Sequence, residues 1–169
     1  MQPNIIRSAM SYGLIMGLLF SINFLLNVSG NNVLFSLLGY AVTIVIIVAA
    51  YKMAIHFRDN DCEGYISYGK SFSLILLMFF FGAIISALTK YVYCQFINPE
   101  YLENVMQQSI QMLESMNFPM VDEMYENMES LMNPFSFATQ YIWINVLLGA
   151  ITGVVMATFV KKEKGLFDE

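Results

Sequence analysis

Residues 94–134 read CQFINPEYLENVMQQSIQMLESMNFPMVDEMYENMESLMNP, and this stretch decides how the rest of the chain is arranged. It is acidic and rich in methionine, and it contains neither Lys nor Arg. The chain on either side of it is apolar over about 20 residues, which is the length that a helix needs to cross a bilayer. We therefore predict that the stretch lies outside the cytoplasm and connects two membrane spans.

The composition places the whole chain among membrane proteins. Of its 169 residues, 57% are hydrophobic and 12% are charged, whereas charged residues make up roughly 25% of a soluble domain. The length is enough for one domain, so residues 1–169 are predicted to form a single membrane domain. The chain has no basic stripe and no nucleic-acid motif, and we expect no nucleic-acid partner.

Four apolar runs predict the fold class. We expect an all-α bundle of four transmembrane helices, with a pair of amphipathic helices outside the cytoplasm between the third and fourth spans. The first run is longer than the apolar core of a signal peptide, which is roughly 7–15 residues, so we expect it to be retained as a span. The predicted spans cover about residues 8–28, 33–54, 71–93 and 135–160.

The positive charges are sorted to one side of these spans. Short cytoplasmic loops collect Lys and Arg, and only Lys90 falls on the opposite side. Both termini are therefore predicted to be cytoplasmic. In this topology Cys62 and Cys94 lie on opposite sides of the membrane and cannot form a disulfide within one chain. The residues that set the orientation are Arg7, Lys52, Arg58, Lys70, Lys161, Lys162 and Lys164.

Residues 98–133 are predicted to form two acidic amphipathic helices. The first begins at Asn98, a capping residue that is followed by a proline and an acid. Pro119 interrupts the helical spacing of the apolar residues, and Asn133 with the proline after it ends the second helix. Because anionic lipid attracts polybasic rather than acidic faces, we expect these helices to pack on the bundle, on a second copy or on a partner.

Small residues recur at every fourth position in the first and fourth spans. At 100° per residue each set keeps to one helix face, and faces of small residues let helix backbones approach closely in membranes. We expect these faces to pack the bundle, with the first and fourth spans as candidate neighbours, or to form the seam of a homodimer. The two sets are Ala9, Gly13, Gly17 and Ser21, and Asn145, Gly149, Gly153 and Ala157.

The outer half of the bundle is predicted to hold a polar pocket with one cation, Lys90. An ionisable residue within a span is costly and is a candidate for function. Lys90 lies within a turn of the membrane boundary, so its side chain is able to reach the outer acidic helices and pair with them. The alternative is that it binds an anionic ligand or a lipid headgroup. The predicted ligand-binding residues are Lys90, Asn23, Asn27, Ser86 and Asn145.

Methionine recurs at every fourth position in the outer segment. Thioethers are soft ligands suited to Cu(I), which makes the series a candidate metal site. Methionine also packs adaptably in cores and in partner-binding faces. Because Pro119 interrupts the series, packing or partner contact is the favoured interpretation. The series is Met112, Met116, Met120, Met124, Met128 and Met132.

The sequence carries no familiar enzyme motif. It has no Gly-rich phosphate loop, no HExxH and no GxSxG. His56 lies near Asp59, Asp61 and Cys62, which are the residue types of a metal or nucleophile site, but no second histidine supports such a site. A solvated loop is the preferred interpretation, and we expect a protein that is not an enzyme and needs no cofactor.

Four short stretches support a family resemblance: YG at residues 12–13, GYISYGKSF at 64–72, Tyr93 with FINP at 96–99, and KK at 161–162. Together they resemble the family catalogued as domain of unknown function 4199, which comprises small four-span inner-membrane proteins of the Bacteroidota. That family often has an acid before the proline that follows the third span, where this chain has Asn98. The resemblance implies a bacterial inner-membrane location, and it implies no activity and no catalytic residues.

Two functional hypotheses follow. The first is a non-enzymatic inner-membrane protein whose outer helices and glycine faces mediate assembly, as a homodimer or with another envelope membrane protein. The second is a small transporter or a metal-handling subunit that uses the methionine series or the polar outer half of the bundle. Four spans are few for a transporter, so this alternative requires the protein to oligomerise.

Overall fold

The computed structural model describes residues 4–29, 33–116 and 133–163, and within them the chain is helical. Four of its helices are long and apolar enough to cross a membrane. This confirms the predicted all-α fold with four span-length helices. The helices are α1 (Ile5–Val28), α2 (Val33–His56), α3 (Tyr68–Val92), α4 (Tyr101–Ser115) and α5 (Pro134–Val160), with α4 as the short one.

Side-chain caps set the start of two of the spans. The backbone N–H of Arg7 donates to Asn4 Oδ1 at 3.2 Å, which caps α1. The backbone N–H of Ser136 donates to Asn133 Oδ1 at 2.9 Å. Asn133 therefore starts α5, with a proline at the first helical position as helix starts prefer, whereas the sequence assigned it to the end of an outer helix.

The predicted cap of the outer helix is wrong. Asn98 donates its side-chain amide to Tyr93 Oη at 3.5 Å and does not cap α4, and α4 begins at Tyr101. The reason is that a short π-helical segment, Tyr93–Ile97, prolongs α3. Asn98 caps the C-terminal end of this segment. A second π-helical segment, Phe57–Asp61, prolongs α2 in the same way.

Backbone contacts divide the chain into two compact units. The first comprises residues 1–86 and 142–169, and the second comprises residues 87–141. Both boundaries fall inside helices, so α3 and α5 each contribute to both units. This division does not test the prediction of a single membrane domain, which stays a prediction.

In the first unit, α1 packs against α3 through its glycines. A Cβ atom on Gly13 would lie 2.5 Å from the Cβ of Phe81, and one on Gly17 would lie 2.6 Å from the Cβ of Ile85. Both distances are shorter than non-bonded carbon atoms tolerate, since their optimal separation is about 3.5–4.0 Å. Only glycine therefore allows this approach of the two helices.

The glycine face of α5 packs against α3 as well. A Cβ atom on Gly149 would lie 2.5 Å from the Cβ of Phe79, and one on Gly153 would lie 3.2 Å from Cδ2 of Phe72. The sequence predicted that these faces would pack α1 against α5. In the structure, both faces pack against α3 instead. All four glycines are buried within the chain. A homodimer seam through these faces stays a prediction.

The loop that follows α2 is docked at the end of α5. The backbone N–H of Ile66 donates to the carbonyl oxygen of Lys162 at 2.9 Å, and the N–H of Lys162 donates to the carbonyl of Ile66 at 3.0 Å. Nη1 of Arg58 donates to the carbonyl oxygen of Val160 at 3.3 Å. Phe57 and Ile66 are buried. These two apolar side chains are therefore covered, whereas His56 and Asp59, for which the solvated loop was predicted, are exposed.

We expect Gly149→Ala to lower the free energy of unfolding by about 1–3 kcal/mol, because the new methyl group overpacks the contact with Phe79. Gly69→Ala is the matched control, since a Cβ atom there would meet no atom within 4 Å. Alanine favours helix over glycine, so the control variant is expected to be unchanged or slightly stabilised. Thermal unfolding in detergent, followed by circular dichroism, measures both. Equal effects of the two substitutions would contradict the packing described.

Candidate functional site

The buried cation Lys90 is the centre of the second unit. Its side chain is only 4% exposed, and its Nζ lies 4.7 Å from the centroid of the Tyr141 ring. A cation over an aromatic face gains about 0.5–2 kcal/mol, and more when water is excluded. This contact joins α3 to α5 within the second unit and offsets part of the cost of burying the charge.

Four aromatic rings form a continuous cluster beside this contact. Tyr93 and Tyr101 have ring centroids 5.7 Å apart with the planes at 87°, and Tyr101 and Phe137 are 6.2 Å apart at 76°. Phe137 is in turn 4.9 Å from Tyr141. Edge-to-face pairs of this kind contribute about 0.5–1.5 kcal/mol each beyond area burial. The cluster therefore ties the start of α4 to the π-helical end of α3 and to the start of α5.

Burial also affects the hydroxyl of Tyr101. Loss of solvent around this residue raises its pKa to about 12. The phenol is neutral at physiological pH, as an ordinary tyrosine is, and the shift extends the neutral form to higher pH.

The first half of α4 is docked, and among the described residues two methionines near its far end are exposed. Leu102 and Met106 are buried, and together with Cys94 they line a groove of about 320 Å³ in the second unit. In contrast, Met112 is 61% exposed and Met116 is 65% exposed at the end of the helix. Within the described chain, the apolar side chains of α4 are therefore only partly buried.

Of the two asparagines predicted to line the polar pocket, Asn23 bonds across to α2 and Asn27 bonds back to Asn23. The side-chain amide of Asn23 donates to the carbonyl oxygen of Gly39 at 2.8 Å and to Oγ1 of Thr43 at 3.0 Å. Asn27 donates to the carbonyl oxygen of Asn23 at 2.7 Å. Hydrogen bonds between membrane helices contribute about 0.6–2 kcal/mol each, so the two bonds from Asn23 stabilise the helix pair.

The predicted ligand-binding residues are divided between the two units. Lys90 belongs to the second unit, and the other four belong to the first. Ser86 is buried on α3, and Asn145 is half-buried on α5. That the five residues form one pocket stays a prediction.

The methionine series is described in part. Met112 and Met116 lie one helical turn apart at the end of α4, and both are exposed. The remaining members, Met120, Met124, Met128 and Met132, lie outside the described residues. The predicted metal site stays a prediction.

His56 is engaged by a neighbouring helix. Its Nδ1 lies 2.9 Å from Oη of Tyr12, and the two rings meet at 86° with centroids 6.3 Å apart. The nearby Asp59 forms an ion pair with Arg58 at 2.7 Å. Within residues 4–29, 33–116 and 133–163, no group of three or more His, Cys, Asp or Glu side chains is arranged to hold a metal ion.

Comparison with known families confirms the resemblance seen in the short motifs. The family model described as "Protein of unknown function (DUF4199)" matches residues 11–162. The chain belongs to this family. No curated protein and no solved structure matches the chain. With four span-length helices, this DUF4199 protein is an integral, multi-pass membrane protein whose activity the family description does not supply.

Sequence reasoning missed the aromatic cluster beside Lys90 in this DUF4199 protein. The prediction selected Lys90 because it is charged, but Tyr101 and Tyr141 read as ordinary residues near a membrane boundary. A signal was available, since aromatic residues bracket the outer segment at Tyr93, Tyr101 and Phe137. Amphipathic rings are common at such boundaries, and for that reason the pattern does not by itself indicate a cluster.

We expect Tyr141→Leu to cost about 1 kcal/mol more of unfolding free energy in the native background than in a Lys90→Met background. The reason is that the ring stabilises the protein through the cation only while the cation is present. Chemical unfolding in detergent, with helicity as the signal, gives the four values of the cycle. Tyr141→Phe keeps the ring and is the control. Equal costs in both backgrounds would show that Lys90 and Tyr141 are not coupled.

Proposed function

We propose that this DUF4199 protein is a non-enzymatic protein of the bacterial inner membrane that binds another envelope protein, or a second copy of itself, through the far end of α4. The observation that carries the proposal is the division of α4 into a docked half and an exposed half. The buried side chains of Leu102 and Met106 fix the position of α4. The exposed Met112 and Met116 therefore lie on a helix whose position is fixed.

The chemistry of this exposed end suits a protein surface. Methionine side chains are flexible and polarizable, and they are used where a surface adapts to its partner. Glu103 and Glu114 are exposed on the same helix, so a partner with an apolar groove and a basic rim would complement it. The glycine faces are occupied by α3, so assembly through α4 does not depend on them.

The orientation proposed for the chain follows from its charges. Arg58 and Lys162 lie together at the docked loop after α2, on the side where Lys and Arg accumulate. Under the rule that short cytoplasmic loops are positively charged, this side is cytoplasmic, and both termini lie there. The start of α4 is then on the outer side of the inner membrane, where envelope proteins are accessible.

A photo-cross-linking residue at Met116 tests the proposal in intact cells. We expect it to yield one cross-linked species of defined mass, and mass spectrometry separates a dimer from a foreign partner. The matched control position is Gln107, which is also exposed and lies about 140° around the helix from Met112. If neither position, or both equally, gave a defined product, the proposed interface would be rejected.

Metal handling is the second candidate function, because Met112 and Met116 are exposed on adjacent turns. Titration of the purified protein with Ag(I), a stand-in for Cu(I), tests it against a variant with Leu at all six positions of the methionine series. Leucine keeps the volume and the apolar character, and Met106→Leu is the control for a buried thioether. Tight binding that only the six-position variant loses would establish a metal site. Equal and weak binding by all three proteins would exclude it.

A further inference from the structure

A groove of about 430 Å³ lies between α1 and α3 in the first unit. Its walls are mostly apolar, and one basic side chain is part of its lining. This groove is separate from the aromatic cluster and from the exposed end of α4, so it needs an explanation of its own. The lining includes Arg7, Met10, Ser11 and Leu14 from α1, and Phe81 and Ile84 from α3.

The groove is a consequence of the glycine contact between the two helices. Gly13 brings the backbone of α1 against α3. Met10 and Leu14 lie about 60° and 100° around the helix from this glycine, so they flank the contact instead of entering it. Two helices that touch through small residues and carry large ones beside the contact leave an open channel between the large side chains.

The position of the groove on two span-length helices determines the class of its occupant. Met10, Leu14 and Ile84 are exposed in the chain, and in a bilayer they meet hydrocarbon. An unfilled channel would forfeit dispersion contacts along its walls, so a chain from the bilayer fills it. The walls that face the bilayer are apolar side chains, so we infer that the apolar part of the occupant is an acyl chain.

Arg7 supplies the charge that distinguishes one lipid from another. Among the described residues, no carboxylate lies within ion-pair distance of its guanidinium, and α1 contains no acidic residue. Arg7 is in the first turn of α1, at the level where a span meets the headgroups. A guanidinium donates two parallel hydrogen bonds to a phosphate group, which makes Arg a specific ligand for it.

We propose that this groove is a binding site for an anionic phospholipid. One acyl chain lies along Leu14 and Ile84, and the phosphate of the headgroup accepts hydrogen bonds from Arg7. The site does not depend on what binds α4, so it stands or fails separately from the proposed assembly function.

The headgroup part is tested by native mass spectrometry of the full-length, delipidated protein titrated with phosphatidylglycerol and with phosphatidylcholine. We expect one phosphatidylglycerol to bind more tightly than phosphatidylcholine, and Arg7→Gln to weaken that binding about tenfold. Lys52→Gln is the matched control, because it removes the same charge from an exposed position on α2 that does not line the groove. Equal affinities of the Arg7→Gln and Lys52→Gln proteins would overturn the proposal.

The acyl-chain part is tested by filling the groove while keeping Arg7. Ser11 is exposed and lines the groove, so Ser11→Phe is expected to be tolerated by the fold and to weaken phosphatidylglycerol binding at least as much as the loss of Arg7. Glycerol 3-phosphate, which has the charge without the chain, is expected not to displace the lipid. Undiminished binding by Ser11→Phe would overturn the proposal. A dimer that this variant dissociates would assign the groove to a second copy and overturn it as well.

Discussion

The close approach of α1 and α5 to α3 is the constraint on which the rest of the structure depends. Lipid tails are as apolar as Leu, so membrane helices gain nothing from hydrophobic burial against each other and associate through dispersion contacts and hydrogen bonds. The glycines of α1 and α5 permit this contact, and α3 lies between them with Leu74, Ile75 and Met78 fully buried. Within this chain, α3 therefore covers both glycine faces.

The second unit shows how the short helix α4 is held against the adjoining ends of α3 and α5. Lys90 is accommodated by the face of Tyr141, and the aromatic cluster continues from that ring to Tyr101 at the start of α4. A buried charge and a row of edge-to-face rings are directional, unlike aliphatic packing, so they fix where α4 begins. The far end of α4 is then presented at a defined place relative to α3 and α5 within this unit.

The sequence predicts the four spans well because length and lack of charge are sufficient evidence for a membrane helix. It also finds the glycine faces, but small residues show only that some helix comes close, and they led to α5 rather than α3 as the neighbour of α1. The sequence shows the polarity of Asn23, but it does not show the hydrogen-bond partners of this side chain on α2, Gly39 and Thr43. The contact between Lys90 and Tyr141 was missed for the same reason, since the two residues are 51 positions apart in the sequence.

Disulfide cross-linking in membranes tests most directly whether the glycine contacts lie within one chain. A Cβ atom on Gly82 would be 3.0 Å from the Cβ of Met16, and a disulfide spans about 3.5–4.5 Å between these atoms, so a small shift suffices. In a background without Cys62 and Cys94, the protein with Met16→Cys and Gly82→Cys is predicted to oxidise to a cross-linked monomer. A disulfide-linked dimer, or no cross-link at all, would contradict the placement of α1 against α3.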